Sequence, residues 1–472
     1  MKKLKLAFAV LAVSAMTSQV HAQDYDAQID ALQNELLKMK QEMSGGKDKA
    51  YFNKGKGLRV KSSDGKYSFQ IKGRIMYDIA GLADYETASG NVAQDNGFGS
   101  EFRRLRFTLK GDIGDGWGFA FQPDFADGSD DASDRTVVFK DALIYKKIKG
   151  FGTITVGNQK AAAGLYENTS SNNLIFMERP MHNEMFNLGH RTGIGYDTKG
   201  AFGKQFHLKA TFFSGLESAI EQNLSDGQDG NESYGFSTAG HFNIKSKNFF
   251  GGKMSTILGI HYAHHDVSNL NGTLDTNSAR AQGVHTLIDK PIDLGNLSNL
   301  DSYNFWGPQI SFIWNQLLIQ TEYQEGWYEF TKVNGSGTAY QKADDFDMRG
   351  GSISAAYAFS GKLKHSGKKG ALSGLKCKKH CTMVKYQYEF IDAIDDPADS
   401  GSAQYSANIG GTGEAHTFGI NHYFKSDVRL MLEYSDGDYG RDNSQSGASS
   451  EMQAFQALSL IHISEPTRLH GI

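Results

Sequence analysis

The chain has 472 residues with a formal net charge of −4, and 39% of its residues are hydrophobic. Its 54 glycines, 30 phenylalanines and 21 tyrosines, against only 6 prolines, favour a protein of many strands and turns. No run of about 18 apolar residues follows the N-terminal segment, which excludes a membrane protein built from helices.

The first residues have the pattern of a secretory signal peptide. Lysines at positions 2, 3 and 5 give a positively charged start, and residues 6–15 are apolar. Ala22 ends a sequence of the kind that signal peptidase cleaves, so we predict that residues 1–22 are removed and that the protein is exported. The alternative, an uncleaved anchor helix, would need a longer apolar stretch.

Residues 23–49 follow as a short helical segment with a linker. Apolar residues recur at alternating spacings of three and four, the heptad pattern of a coiled coil. Two heptads are marginal as an isolated helix, so a coiled coil is expected only if several chains are already held together. A single amphipathic helix is the alternative. The residues of the seam are Ile29, Leu32, Leu36, Met39 and Met43.

The stretch 101–125 shows the pattern that dominates the rest of the chain. Leu105, Phe107 and Leu109 alternate with Arg104 and Arg106, so two strands joined by a Gly/Asp turn have one apolar and one basic face. A soluble sandwich would bury the apolar face. A membrane barrel would turn that face to lipid and the arginines to a water-filled lumen.

The same alternation recurs in about sixteen segments between residues 50 and 458, and short turns alternate with long polar loops. This asymmetry is typical of bacterial outer-membrane barrels, and the even count suits a porin lumen. We therefore predict an all-β, transmembrane, antiparallel β-barrel of about 16 strands, with strand-end aromatics such as Trp117 and Tyr423 in the interfacial girdles. The segments are 66–79, 101–110, 117–125, 135–146, 153–158, 192–198, 204–214, 234–245, 253–266, 304–314, 316–325, 347–360, 382–391, 414–424, 427–434 and 451–458.

Residues 160–191 break the strand pattern. A break of about thirty residues inside a compact fold is usually functional or disordered. Its aromatic and methionine residues, among them Phe176, Met177 and Phe186, favour a packed, functional insert.

Three motifs stand out along the chain: Glu101-Phe102-Arg103-Arg104-Leu105-Arg106, Val156-Gly157-Asn158-Gln159-Lys160, and Thr169-Ser170-Ser171 through Phe176-Met177-Glu178-Arg179. With these motifs the chain resembles the phosphate-selective porins O and P of Gram-negative outer membranes. The resemblance implies a homotrimer in the outer membrane that takes up anions passively, with phosphate or polyphosphate preferred. It also implies that the break is a constriction loop folded into the barrel. The chain departs from the family at Ala161-Ala162-Ala163, where aromatic residues or proline are expected.

Basic residues on the inner face are the candidates for anion selection, because fixed positive charge acts most strongly in a narrow constriction. Strand parity nominates six of them, and the resemblance adds Arg103 and Lys160. Arg103 has the wrong parity for a regular strand and needs a bulge or a rim position. The alternative is that these cations pair with Asp78, Asp124 or Glu178 and only keep the wall hydrated. The six are Lys72, Arg74, Arg104, Arg106, Lys110 and Lys140.

Cys377 and Cys381 lie in a lysine-rich turn, with His380 between them. Zinc would require more ligands than these, and in an exported protein a disulfide is expected. His261, His264 and His265 are expected to be solvated or lumenal rather than metal ligands. No catalytic constellation rises above chance, so we expect no enzyme activity, no cofactor and no nucleic-acid partner. Small anions and outer-membrane lipid are the expected partners.

Two alternatives to the anion channel remain open: a general or sugar-permeable porin, and a structural surface barrel that binds through its long loops. The C-terminal residues 459–472 do not fit the pattern of a last strand, since Pro466 cannot donate to a ladder. They are expected to be a non-native tail similar to a translated sequencing adapter.

Overall fold

The computed structural model describes residues 49–53, 57–85, 97–126, 137–198, 205–214, 233–266, 273–275, 278–279, 292–293, 296–298, 300–333, 340–342, 346–367, 369–393, 411–441 and 448–461. The predicted signal peptide, most of the predicted coiled-coil segment and linker, and the end of the predicted tail lie outside these residues. Among the described residues, no helix has the length and apolarity needed to cross a bilayer.

Sixteen strands form the barrel wall. They are β3 (Tyr67–Tyr85), β4 (Phe98–Gly114), β5 (Trp117–Asp124), β6 (Val138–Ile148), β7 (Gly152–Lys160), β8 (His190–Asp197), β9 (Phe206–Ser214), β10 (Tyr234–Phe249), β11 (Gly252–Asp266), β16 (Leu300–Trp314), β17 (Leu317–Val333), β19 (Phe346–Ala358), β22 (Cys381–Ala393), β23 (Gly411–Lys425), β24 (Val428–Arg441) and β25 (Ala448–Ile461).

Shorter elements accompany the wall. They are β1 (Lys49–Asn53), β2 (Gly57–Lys61), β12 (Thr273–Asp275), β13 (Ser278–Ala279), β14 (Ile292–Asp293), β15 (Asn296–Ser298), β18 (Tyr340–Lys342), β20 (Lys362–Ser366), β21 (Ala371–Lys376), and the helices α1 (Leu165–Asn168) and α2 (Met181–Met185).

The wall closes because the last strand pairs with the first. β25 runs antiparallel to β3, with Ile461 opposite Ile75 and Met452 opposite Tyr85. The other wall strands also pair antiparallel with their neighbours in the chain, and the β1–β2 hairpin adds to the start of β3. The closed antiparallel barrel of sixteen strands is therefore confirmed, and each segment predicted from the alternation overlaps one wall strand.

Strand β10 shows how the alternation sorts side chains. Tyr234, Phe236 and Phe242 are 47%, 43% and 48% exposed, whereas Ser237 and His241, on the opposite face, are 1% and 2% exposed. Because a strand alternates its faces, the exposed aromatics point outward to lipid and the polar residues point into the lumen.

The aromatic girdle predicted from strand ends is correct for Trp117 and wrong for Tyr423. Trp117 is 47% exposed at the turn end, but Tyr423 is only 4% exposed. Tyr423 lies on the inner face of β23, where the guanidinium of Arg429 stacks 6.0 Å from its ring centre. The prediction for Tyr423 failed because a position near a strand end does not show on which face of the wall the side chain lies.

The break in the strand pattern forms a loop that crosses the lumen, and we name residues 161–189 the constriction loop. Its backbone is held by carboxylates on the inner wall. Tyr166 N–H donates to Glu322 on β17 (3.0 Å), Met177 N–H to Glu433 on β24 (2.9 Å) and Met181 N–H to Glu389 on β22 (2.6 Å).

Cations on the same wall hold the loop carbonyls. Lys385 Nζ donates to the Ile175 carbonyl (2.8 Å), and Arg429 donates to that of Leu174 (2.6 Å). Lys385 also forms an ion pair with Glu433, and both side chains are 0% exposed. We name the inner faces of β17, β19, β22, β23 and β24 the anchoring wall.

A second element enters the lumen from the end with the short turns. The lysine-rich segment after β19 is not a simple turn, because β20 and β21 pair as a hairpin within it. Cys377 and Cys381 form a disulfide at its base. Its tip meets the constriction loop, where Asn168 Nδ2 donates to the Lys369 carbonyl at 2.5 Å.

Candidate anion path

Five of the nominated cations lie side by side on the inner faces of β3 and β4. In the register of these strands, Arg74 is opposite Arg106, and Gln70 is opposite Lys110. Arg104 lies opposite Met76, one position beyond on the same face. We name the inner faces of β3 to β7 the cationic wall.

Arg103 reaches the lumen through a β-bulge. Met76 pairs with Arg104 and Tyr77 pairs with Phe102, which leaves Arg103 as the extra residue. A bulge turns two consecutive side chains toward one face, and both arginines bind Glu178 of the constriction loop. The distances to its carboxylate are 2.7 Å from Arg103 Nε, and 3.0 and 2.9 Å from the two terminal nitrogens of Arg104.

Arg106 is held by an ion pair on the neighbouring strand. Its Nε donates to Asp124 on β5, whose other carboxylate oxygen accepts the Leu105 backbone N–H at 3.0 Å. Asp124 is 1% exposed, so it holds the guanidinium from the buried side. The Arg106 side chain remains 15% exposed to solvent.

Lys160 and Arg179 share one carboxylate of the loop. Glu167 forms ion pairs with Lys160 Nζ at 2.5 Å and with Arg179 Nε at 2.8 Å. Burial by itself raises the pKa of Glu167, but the charges of Arg179 and Lys160 outweigh it and lower that pKa to about 2. The carboxylate therefore stays ionised and holds two cations beside the opening.

Lys72 and Arg74 differ from the other cations. In the part of the chain that the structure describes, neither side chain has a carboxylate within 4.0 Å. Arg74 donates to the hydroxyl of Ser171 at 2.5 Å, and its Nε is buried without a partner. The nearest charges around Lys72 are mostly positive: Lys110, Arg74 and Lys369.

Lys140 lies at a second bulge. Gln122 pairs with Asp141 and Pro123 with Phe139, so Lys140 is the extra residue of β6. The shift reverses the parity of the rest of β6, so alternation counted from Lys140 does not give the face on which Lys146 lies. The ammonium of Lys146 lies 4.8 Å from the centre of the outward-facing Trp117 ring.

Solvent access divides the nominated residues by role. The Arg104 side chain is 5% exposed, and both of its terminal nitrogens bind Glu178. Arg104 therefore holds the loop in place. The side chains of Lys160 and Arg103 are 27% and 22% exposed, and Lys110 is exposed. These residues, with Lys72 and Arg106, can meet a solute.

The alanines at the start of the constriction loop are buried against the barrel wall. Ala161 and Ala162 are each 2% exposed, and the Ala162 N–H donates to Thr211 on β9 at 3.1 Å. These two alanines therefore contribute to the packing of the loop on the wall.

The family model described as "Phosphate-selective porin O and P" matches residues 69–459, nearly the whole span from β3 to β25. The chain belongs to this family. It is an outer-membrane porin, since the matched residues build the closed sixteen-stranded barrel with its inward loop.

Curated relatives of this porin are distant. Porin O of Pseudomonas aeruginosa is 22% identical over 403 residues, which cover 80% of this chain and 84% of that protein. An uncharacterized protein of Caulobacter vibrioides is 31% identical over 177 residues, 37% of this chain and only 33% of that protein's length.

Solved structures with a similar fold are also distant. The outer-membrane channel DcaP of Acinetobacter baumannii has a TM-score of 0.48 at 10% identity, covering 85% of this chain and 99% of that one. A loop-deletion mutant of OmpT of Vibrio cholerae has a TM-score of 0.47 at 12% identity, with 84% and 99% covered.

Sequence reasoning missed two cations that border the path. Arg179 was part of the motif Phe176-Met177-Glu178-Arg179, but strand parity could not nominate a loop residue. Lys369 belongs to the hairpin that the sequence presents only as a lysine-rich turn. Its proximity to Lys72 depends on that hairpin folding inward.

Proposed function

We propose that this porin is a passive channel selective for small anions, with inorganic phosphate as the foremost candidate. The observation that carries the proposal is the pair Lys72 and Arg74, which have no carboxylate within 4.0 Å among the described residues. Around them, Arg103, Arg104 and Arg106 are held in place by carboxylates. The paired arginines are held in fixed positions. Lys72 and Arg74, which have no such partner, make the net charge of the opening positive.

The physical basis is weak screening in a narrow passage. Two unit charges about 4 Å apart interact by about 1 kcal/mol in bulk water and about 4 kcal/mol at an effective dielectric of about 20. Arginine presents a planar fork of donors that fits phosphate oxygens. Several shallow sites in sequence allow both capture and release, and the residues on β3 and β4 form such a sequence.

A sugar-selective path would be lined by accessible aromatic rings. Three inner-face aromatics of the described wall, Phe305, Tyr328 and Phe346, are instead buried against the constriction loop at 4–5% exposure. We therefore favour anions over sugars.

The test is the reversal potential of single channels in a salt gradient, measured for the wild type and for Lys72→Gln. A charge about 6 Å from the ion in water contributes about 0.7 kcal/mol, so the anion-to-cation permeability ratio should fall at least about threefold. Lys146→Gln is the matched control, because Lys146 lies outside the lumen over Trp117. A cation-selective wild type, or equal ratios for wild type and Lys72→Gln, contradicts the proposal.

Phosphate itself is tested by adding it to chloride solutions. If phosphate occupies the path, millimolar phosphate reduces the chloride current of the wild type, and Lys72→Gln weakens that block. If phosphate does not change the chloride current, the porin is a general anion channel and phosphate is not its preferred solute.

We further propose that the porin assembles as a homotrimer, which is the assembly implied by its family. Native mass spectrometry of the detergent-extracted protein should give three times the protomer mass. A monomer mass under conditions in which the barrel remains folded contradicts this assembly.

A further inference from the structure

A continuous row of hydrogen-bonded side chains runs behind α2, and we name it the histidine–glutamine ladder. The amide NH₂ of Gln309 lies 2.9 Å from His241 Nε2, and its carbonyl lies 2.9 Å from His261 Nδ1. Gln324 repeats the arrangement, with its NH₂ 2.9 Å from His261 Nε2 and its carbonyl 2.7 Å from His182 Nδ1.

The two glutamines fix the protonation of the rings. An amide NH₂ only donates and an amide oxygen only accepts, so each ring accepts at Nε2 or donates at Nδ1 wherever it meets a glutamine. His261 does both, and it is therefore neutral with its proton on Nδ1. His182 donates from Nδ1 and can accept the hydroxyl proton of Ser352 at Nε2, 3.0 Å away.

Protonation would break this order. A second proton on His261 Nε2 would point at the NH₂ of Gln324, and one on His241 Nε2 at the NH₂ of Gln309. The rings of His182, His241 and His261 are 0%, 2% and 2% exposed, so water does not replace the lost bond. A buried donor without an acceptor is costly.

The ladder joins the constriction loop to the barrel. His182 is its one member in the loop, on α2, while Gln309, Gln324, His241 and His261 lie on wall strands. A backbone bond from the Met181 N–H to Glu389 also holds α2. Loss of the ladder therefore removes a buried side-chain anchor of this helix.

Other titratable groups surround the rings. Tyr166 meets His182 edge-on at 5.9 Å, Glu184 shares its helix, and Glu389 on β22 binds the preceding residue. Glu322 lies 4.0 Å from His261 Nδ1 but already accepts the N–H of Tyr166. None of these carboxylates accepts a hydrogen bond from a ladder ring among the described residues.

A histidine and an aspartate lie beyond His241 at the end of the ladder. The His207 ring lies 5.8 Å from that of His241, and His207 Nε2 lies 3.1 Å from Asp197 on β8. His207 and Asp197 therefore both face this end of the ladder.

We propose that the histidine–glutamine ladder is an acid-sensitive latch: acidification breaks it, releases α2 from the wall and changes the conductance of the channel. The latch requires a conducting porin but not anion selectivity, so it stands or falls separately from the proposed preference for anions.

Burial lowers the pKa of His182 from 6.5 to about 4. In the released loop, the imidazole regains an ordinary pKa near 6.5. The latch is therefore complete above about pH 6.5 and weakens as the pH falls toward about 4, where the held ring also binds its proton.

The experiment compares amide hydrogen exchange of residues 176–189 at pH 7.5 and pH 5.0 in the full-length protein in detergent, with single-channel conductance recorded at the same pH values. After correction for intrinsic rates, wild-type protection should fall at least about tenfold at pH 5.0, with a change in conductance. In His182→Gln, the protection and the conductance should be the same at both pH values. His422→Gln, on the outer face of β23, should behave as the wild type.

A second variant covers the case in which His182→Gln does not form a barrel, as judged by heat-modifiable mobility. Gln324→Glu offers a carboxylate to protonated rings, so its loop should stay protected at pH 5.0. Unchanged wild-type protection between the two pH values overturns the latch. Parallel pH responses of the wild type and Gln324→Glu overturn it too.

Discussion

The two sides of the lumen use charge in opposite ways. On the anchoring wall, Lys385 and Glu433 are both 0% exposed and bind the loop backbone, so their charges cancel out of reach of water. On the cationic wall, Lys160 and Arg103 keep 27% and 22% of their side chains exposed. The anchoring wall uses its buried charges to hold the loop in place, whereas the cationic wall keeps part of its charged side chains in contact with solvent.

This difference explains why a count of lumenal charges is a poor guide to selectivity. Buried ion pairs hold the loop in place but add little to the electric field in the passage, because their charges cancel. A partly hydrated cation in a constriction acts on each passing ion. Of the nominated residues, Arg104 belongs with the anchoring group although it lies on the cationic wall, because Glu178 binds two of its nitrogens.

The largest expected effect comes from Lys385→Met, which leaves Glu433 buried without its cation. Breaking one partner of a buried pair costs about 3–5 kcal/mol, so the unfolding temperature should fall clearly, as followed by heat-modifiable gel mobility. Arg349→Met is the control, since its pair with Asp392 is exposed and therefore contributes little to stability. Equal losses in the two variants would remove the distinction between the walls.

An intermediate effect is expected for Glu178→Gln, which tests whether paired arginines are withheld from the passage. Removing the carboxylate frees the charge of Arg103 and Arg104, so the reversal potential should move toward stronger anion selectivity. Glu184→Gln, on α2 of the same loop, is the matched control. A shift toward cations in Glu178→Gln would mean that Glu178 does not neutralise these arginines.

The smallest effect is a difference in pH response between the two ends of the constriction loop. The pKa of Glu167 is lowered from its ordinary value of 4.5 to about 2, so its pairs with Lys160 and Arg179 persist until the pH falls through that range. Hydrogen exchange should therefore show residues 165–169 protected at pH 5.0, when residues 181–186 are already released. Simultaneous release of both segments would argue against separate anchors.

The sequence by itself determined the barrel. Period-two alternation along segments such as 234–245 requires one apolar and one polar face, and the alternation of short and long connections orders the strands up and down. These features are local, because side-chain direction in a strand depends only on position along it. The cations of β3 and β4 followed from the same rule.

Only the tertiary structure decided what those cations do. The bulge at Arg103, the clamp of Arg104 by Glu178 and the approach of Lys369 to Lys72 join residues far apart in the chain. No local period encodes such pairings, because a loop that crosses the lumen meets whichever wall residues lie opposite. The ladder that ends at His182 has the same origin, since its members come from four wall strands and one loop helix that meet only in the closed barrel.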